Sequence, residues 1–199
     1  MDTIKKVDFL TEVEDMVKNY HIQYAFPEKI LETDRIILRR FERNDRFACF
    51  EFLSDRDTCH NGGGYEPFDE MDEEYERLME IFRQDESRYM IFSKTESKVV
   101  GTISLRVDSE RAVDTIELGY MVSPNYRRQG YAQETVISLL PVLKERFHIQ
   151  MVVAGVVEKN DSSIHMLKKL GFSLEGKRHK AFLHPVYGAV DLLYYYYEL

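Results

Sequence analysis

The spacing of apolar residues at the start of the chain indicates a helix. In residues 3–20 one stripe recurs every three to four positions, formed by Ile4, Val7, Leu10, Val13, Val17 and Tyr20. Thr3 can cap this helix, and Phe26-Pro27 follows it. We therefore predict an accessory helix and linker in residues 1–30. Its stripe is expected to pack on the following domain or on a second subunit, as in a homodimer.

From residue 31 onward the apolar spacing changes repeatedly between strand and helix periods. Strands are predicted at residues 35–41, 89–93, 99–107, 115–122, 151–157, 172–177 and 190–198. Helices are predicted at residues 45–54, 71–84, 131–147 and 162–170, with Gly171 as the left-handed residue that ends the last one. Residues 59–69 contain three consecutive glycines and a proline, which favours an irregular loop.

One strand–helix–strand crossover, from residue 115 to residue 157, organises the second half of the chain. Such a connection makes its two strands parallel. The run MVVAGVV at residues 151–157 is almost wholly apolar, as expected of a strand covered on both faces. With no internal repeat or low-complexity linker, residues 31–199 are predicted to form one α/β (α+β) domain with a mixed, mostly antiparallel sheet.

Composition and charge exclude several classes of function. The 199 residues carry a formal net charge of −8, which disfavours binding to nucleic acid. No apolar run approaches the roughly 20 residues of a membrane helix, and the N-terminus lacks the apolar core of a signal peptide. Cys49 and Cys59 do not make a disulfide framework, and with His60 they lack zinc-ligand spacing. We expect a cytoplasmic protein without a metal.

A glycine-containing turn lies between the strand at 115–122 and the helix at 131–147. Its sequence is Arg127-Arg128-Gln129-Gly130-Tyr131-Ala132. Successive backbone N–H groups at a helix N-terminus form a cradle for phosphate, and glycine permits close approach. The two arginines add positive charge where an anion would bind. An ordinary helix start with solvated arginines would explain such a hexapeptide taken alone.

Two motifs in sequence resemble the GNAT superfamily of N-acetyltransferases. R-x-x-G-x-A after ELGYMVSPNYR resembles motif A of that family, and NDSSIHMLKKLGF at residues 160–172 resembles motif B. LETDRIILRRF and GFSLEG resemble the RimJ/RimL-like branch, which acetylates the N-termini of ribosomal proteins. The similarity extends from about Leu31 to the C-terminus. It implies a GNAT fold whose fourth and fifth strands diverge to hold acetyl-CoA.

The resemblance assigns cofactor-binding roles to particular residues. Backbone amides from Gln129 to Gln133 are expected to hold the pyrophosphate. Val122 on the fourth strand and the Asn160 side chain are expected to bind the pantetheine arm. For Asn160 the alternative is an ordinary helix N-cap. The cofactor-binding set is Val122, Arg127, Arg128, Gln129, Gly130, Tyr131, Ala132, Gln133, Asn160 and Ser163.

The expected chemistry needs a base for the acceptor ammonium and a donor for the leaving thiolate. Glu117, an acid within a strand, is the predicted base, with a solvent-facing surface acid as the alternative. Many family members carry a tyrosine where this chain has Leu167, and some carry a carboxylate where it has Gly155. Ser163 is the predicted donor, and helix capping is its alternative.

The sequence leaves the acceptor open. A primary amine at a protein N-terminus is favoured by the RimJ/RimL-like resemblance. A small cation such as a polyamine or aminoglycoside is favoured by the acidic residues 66–76. A non-catalytic acyl-CoA-binding domain is the third alternative, suggested by Leu167 and Gly155. The four tyrosines at 194–197 are expected to alternate between the two faces of a strand, and His60, His179 and His184 are expected at the surface.

Overall fold

The structure, a computed structural model, describes residues 10–11, 14–15 and 24–199. Residues 10–11 and 14–15 are helical, and residues 24–199 contain eight strands, five α-helices and two short 3₁₀ helices. The strands are β1 Lys29–Glu32, β2 Ile36–Arg39, β3 Arg88–Ser93, β4 Lys98–Val107, β5 Thr115–Val122, β6 Met151–Val157, β7 Ser173–His184 and β8 Gly188–Glu198. The helices are α1 Arg46–Leu53, α2 Arg56–Gly62, α3 Glu73–Gln84, α4 Tyr131–Phe147 and α5 Asp161–Lys169. No described helix is long and apolar enough to cross a membrane.

The strands form one sheet in the order β1-β2-β3-β4-β5-β6-β8-β7. All neighbouring pairs are antiparallel except β5 and β6, which are parallel, so the predicted mixed α/β sheet is confirmed. The parallel pairing joins only Thr115–Glu117 to Met151–Val153. Beyond Glu117 the two strands have no backbone pairing, and the sheet opens at this place.

Helices cover the two faces of the sheet unequally. On one face α4 and α5 pack on the strands through residues such as Leu139, Leu143 and Leu167. On the other face α1, α2 and α3 surround a second apolar cluster that includes Phe52 and Leu78. Among the described residues, this second cluster takes none from β6, β7 or β8. The part of the second face that β6, β7 and β8 form therefore contributes nothing to this cluster, and it lies beside the opening between β5 and β6.

Most predicted elements are confirmed, and β5, α4 and β6 have the predicted bounds. The prediction of a loop from residue 59 is wrong, because α2 continues to Gly62. Asp55 caps α2 by accepting from the Thr58 amide at 2.8 Å, and Cys59 is fully buried under it. This local cap and packing override the glycine signal. The sequence also missed β1, and β7 extends beyond its predicted end.

The predicted N-terminal helix lies largely outside the described residues, as do Ile4, Val7, Val13, Val17 and Tyr20 of its stripe. Leu10 is described, is helical and is fully buried in the second apolar cluster. Glu14 forms an ion pair with Arg77 of α3. Leu10, the described residue of the stripe, therefore packs on its own chain. A homodimer stays a prediction.

Candidate active site

A cleft of about 890 Å³ opens where β5 and β6 diverge. Its walls are residues 118–122 of β5, residues 154–157 of β6, the turn before α4, one side of α5 and one side of α2. Most of the predicted site residues line it, namely Val122, Arg127, Arg128, Gly130, Tyr131, Ala132, Gln133, Asn160 and Ser163. Glu117 and Gln129 border the cleft in sequence but are not part of its lining.

The turn before α4 has the backbone shape of an anion cradle. Arg128 and Gly130 are both left-handed, with φ of 60° and 85°. The amides in the first turn of a helix have no intrahelical partner, and Gly130, the N-cap of α4, has no side chain to accept from them. Alternating backbone hands and unpaired amides are the features that bind phosphate. The residues present therefore fit the pyrophosphate of acetyl-CoA.

The side chains of this turn have different partners. Arg127 is hydrogen-bonded to Asp55 and Thr58, and so ties the turn to the N-terminus of α2. The Gln129 side chain donates to the Asn125 carbonyl at 3.0 Å. Arg128 lines the cleft. Direct binding of phosphate by Arg127 stays a prediction. In the structure its side chain instead connects the turn to α2.

Asn160 is the N-cap of α5, which is the alternative role that the sequence allowed for it. Its side-chain oxygen accepts from the Ser163 amide at 3.2 Å and from the Ser162 hydroxyl at 2.9 Å. The residue also lines the cleft. The cap uses the oxygen of the Asn160 amide, which leaves its nitrogen available to donate to a ligand.

A pair of hydroxyl groups spans the cleft from β5 to α5. The Tyr120 hydroxyl lies 2.6 Å from Ser163 Oγ. Burial raises the pKa of Tyr120 to about 12, against a smaller lowering by the bond to Ser163. No sequence signal identifies Tyr120, because its approach to Ser163 depends on how α5 packs across the diverging strands. Leu167, where the resemblance leads us to expect a tyrosine, is fully buried in the core.

Glu117 is the last residue of β5 that pairs with β6 before these two strands diverge. Alternation along the strand directs it to the face opposite Tyr120. A Cβ atom built on Gly155 would lie 3.4 Å from Glu117 Oε1 and 3.6 Å from the Tyr194 ring. Burial raises the pKa of Glu117, and Asp108 adds to the rise, while nearby arginines oppose it. The carboxylate is thus half-buried rather than a solvated surface acid.

The tyrosines alternate as predicted, but two of the histidines do not lie at the surface. Tyr195 is buried in the first apolar cluster, whereas Tyr194 faces Glu117. His60 and His184 are buried with ring centroids 5.6 Å apart, which corrects the surface prediction. They meet because the β7–β8 hairpin packs against the end of α2. In the described part of the chain no cluster of acids, histidines and cysteines is arranged to hold a metal.

The opened parallel pair and the glycine turn form a cleft that fits an extended anionic ligand lying between two strands. A family model described as an acetyltransferase (GNAT) domain matches residues 35–173, and the chain belongs to this family. It is an N-acetyltransferase. Family membership thus favours catalysis over the non-catalytic alternative.

Named relatives act on two kinds of amine. The spermidine N(1)-acetyltransferase of Escherichia coli K12 is 26% identical over 62% of this chain and 64% of its own length. The ribosomal protein uS5-alanine N-acetyltransferase of the same organism is 21% identical over 75% of this chain and 81% of its own length. A GNAT-family acetyltransferase from Bacillus anthracis shares the fold, with a TM-score of 0.72, 22% identity and coverage of 84% of this chain and 97% of that one.

Proposed function

We propose that the protein transfers the acetyl group of acetyl-CoA to a protein N-terminal amine by direct attack in a ternary complex. The observation that carries the proposal is the end of β5–β6 pairing at Glu117. The Glu117 carboxylate lies beside Gly155 of β6, and the Tyr120–Ser163 hydroxyl pair lies on the other face of β5. A base and a hydrogen-bond donor thus flank the place where the strands diverge.

The cleft provides binding groups along its whole length. Acetyl-CoA supplies an activated acetyl thioester and a thiol leaving group. Backbone amides of residues 129–133, together with Arg128, would hold its pyrophosphate. Val122 pairs with Gly101 on one side only, so its other edge is available to hydrogen-bond the pantetheine arm as a strand would. Asn160 would donate to the same arm.

The proton chemistry divides between the two faces of β5. Glu117 would take the proton of the acceptor ammonium, and the amine nitrogen would then bond to the acetyl carbon as the carbon–sulfur bond breaks. Ser163, hydrogen-bonded to Tyr120, would donate a hydrogen bond to the departing thiolate. Because a thiol has a pKa of about 8.5, the thiolate needs no full proton transfer to leave. Solvent can protonate it afterwards.

Direct attack is also supported by the position of the cysteines. Cys49 and Cys59 are both fully buried in the second apolar cluster. Neither lines the cleft. An acetyl-cysteine intermediate would need a thiolate exposed to the thioester, and burial raises the pKa of the Cys49 thiol well above its usual value.

The RimJ/RimL-like motifs and the uS5-alanine relative support the N-terminal amine as acceptor. The spermidine relative and the acidic residues 66–76 support a polyamine as the second candidate. Release of free CoA should be measured with tripeptides and with spermidine, and the products identified by mass spectrometry. We expect turnover with peptides that places the acetyl group on the α-amine. Turnover confined to spermidine would overturn the N-terminal assignment, and none with any amine would overturn catalysis.

A further inference from the structure

A guanidinium group lies near enough to the proposed base to lower its pKa. Arg178 of β7 stands opposite Leu192 of β8, and its Cζ lies 4.7 Å from the centroid of the Tyr194 ring. The same ring borders the space above Gly155, and Glu117 Oε1 borders that space as well. Glu117, the gap at Gly155, Tyr194 and Arg178 thus form a continuous row along the face of the sheet.

Three arginines lie near enough to Glu117 to oppose the rise in its pKa, and they differ in their partners. Arg111 is bonded to Asp108 at 3.1 Å and to Glu175 at 2.6 Å. Arg106 lies 3.8 Å from the buried Asp85. Arg178 is 63% exposed and pairs at 3.7 Å with Glu110, which is itself 83% exposed. Exposed pairs of this kind are weak, so a ligand can displace Glu110 at small cost.

We propose that Arg178 selects an acceptor whose reacting amine has an anionic group close to it. This inference rests on the proposed function, and its acceptor is a peptide N-terminus with an acidic second residue. A guanidinium binds a carboxylate through two parallel hydrogen bonds, and the Tyr194 ring holds its plane. A second residue places its carboxylate within two residue lengths, about 7 Å, of the amine. A second cation, as in a polyamine, would be repelled by Arg178.

The test compares three tripeptides that differ only in the second residue, which is Asp, Asn or Lys. We expect kcat/KM of the native enzyme to fall in that order. The variant Arg178→Glu should lower kcat/KM for the Asp peptide by about three- to tenfold and raise it for the Lys peptide, leaving the Asn peptide unchanged. Lys177→Glu is the matched control, because Lys177 is adjacent in sequence and pairs with Asp191 instead.

The outcomes separate this inference from the proposed function. Equal changes for all three peptides, or none, would overturn the role of Arg178 while peptide acetylation stands. If only spermidine is acetylated, the proposed acceptor fails. Arg178→Glu should still raise kcat/KM for spermidine, because it removes a repelling charge, and an unchanged value would overturn the selection by charge as well.

Discussion

The substitution Glu117→Gln tests the proposed base with little change in shape. Glutamine keeps the volume beside Gly155 but has no carboxylate to accept a proton. General-base catalysis contributes about 10²–10⁴ in rate, which corresponds to about 2.7–5.5 kcal/mol of activation free energy. We expect kcat to fall within that range, with little change in KM for acetyl-CoA. Raising the pH should partly restore the rate, since more acceptor amine is then neutral.

The same substitution should stabilise the fold near neutral pH. The pKa of Glu117 is raised in the folded protein, chiefly by burial. A carboxyl group whose pKa is raised by folding stabilises the fold at pH values below its unfolded-state pKa. This contribution is lost as the pH rises through its folded-state pKa. At pH 7 the raised pKa of Glu117 therefore lowers the stability of the fold, and glutamine removes that penalty. We expect an equal or higher Tm at pH 7, and a smaller difference below the usual carboxyl range.

Two measurements decide this prediction together. Stopped-time assays of free thiol across pH give kcat and KM, and thermal melts at the same pH values give Tm. Glu145→Gln, at an exposed position on α4, is the matched control and should change neither. A Glu117→Gln protein with native kcat at every pH would refute the base. A lower Tm accompanied by lower kcat would instead indicate that the carboxylate stabilises the fold.

Three further substitutions test other parts of the molecule. Gly130→Val places a β-branched residue at φ 85° and should weaken CoA binding at least about tenfold in calorimetry, and undiminished affinity in a folded protein would remove the phosphate-turn assignment. Tyr120→Phe removes one hydrogen bond to Ser163 and should lower kcat about three- to tenfold, less so with a more acidic thiol as leaving group; an equal loss with both donors would contradict donation to the thiolate. Leu10→Ala should lower the free energy of unfolding by about 2–5 kcal/mol, whereas exposed Asp15→Ala should not, and equal melts for the two would refute docking of the N-terminal stripe.

The sequence predicts those parts of the structure whose signals are local. The apolar run of β6 and the glycine turn before α4 are each recognisable from a short stretch of sequence, and both have the predicted positions. The pairing of β5 with β6 followed from the crossover rule. These features were enough to locate the cleft and most of its lining.

The features that were missed depend on contacts between distant segments. Tyr120 meets Ser163 only because α5 lies across the opening. Arg178 reaches the Tyr194 ring through the register of β7 on β8, and His60 meets His184 through the packing of the hairpin on α2. Spacing along the chain contains no information on these distances. Charge and residue type identified Glu117, but only the structure shows that it stands where the pairing ends.

The resemblance leads us to expect a tyrosine at Leu167 and a carboxylate at Gly155, and the proposed roles of Tyr120 and Glu117 explain both differences. At Leu167 the chain has a buried core residue, and the phenol instead comes from Tyr120 across the cleft. At Gly155 no carboxylate is present, and Glu117 Oε1 borders the space that a side chain there would enter. Both replacements lie on β5, three residues apart and on opposite faces. On this proposal β5 carries the base, Glu117, and through Tyr120 it also holds the donor, Ser163. The divergence of β5 from β6 therefore both opens the cofactor cleft and positions these two groups beside it.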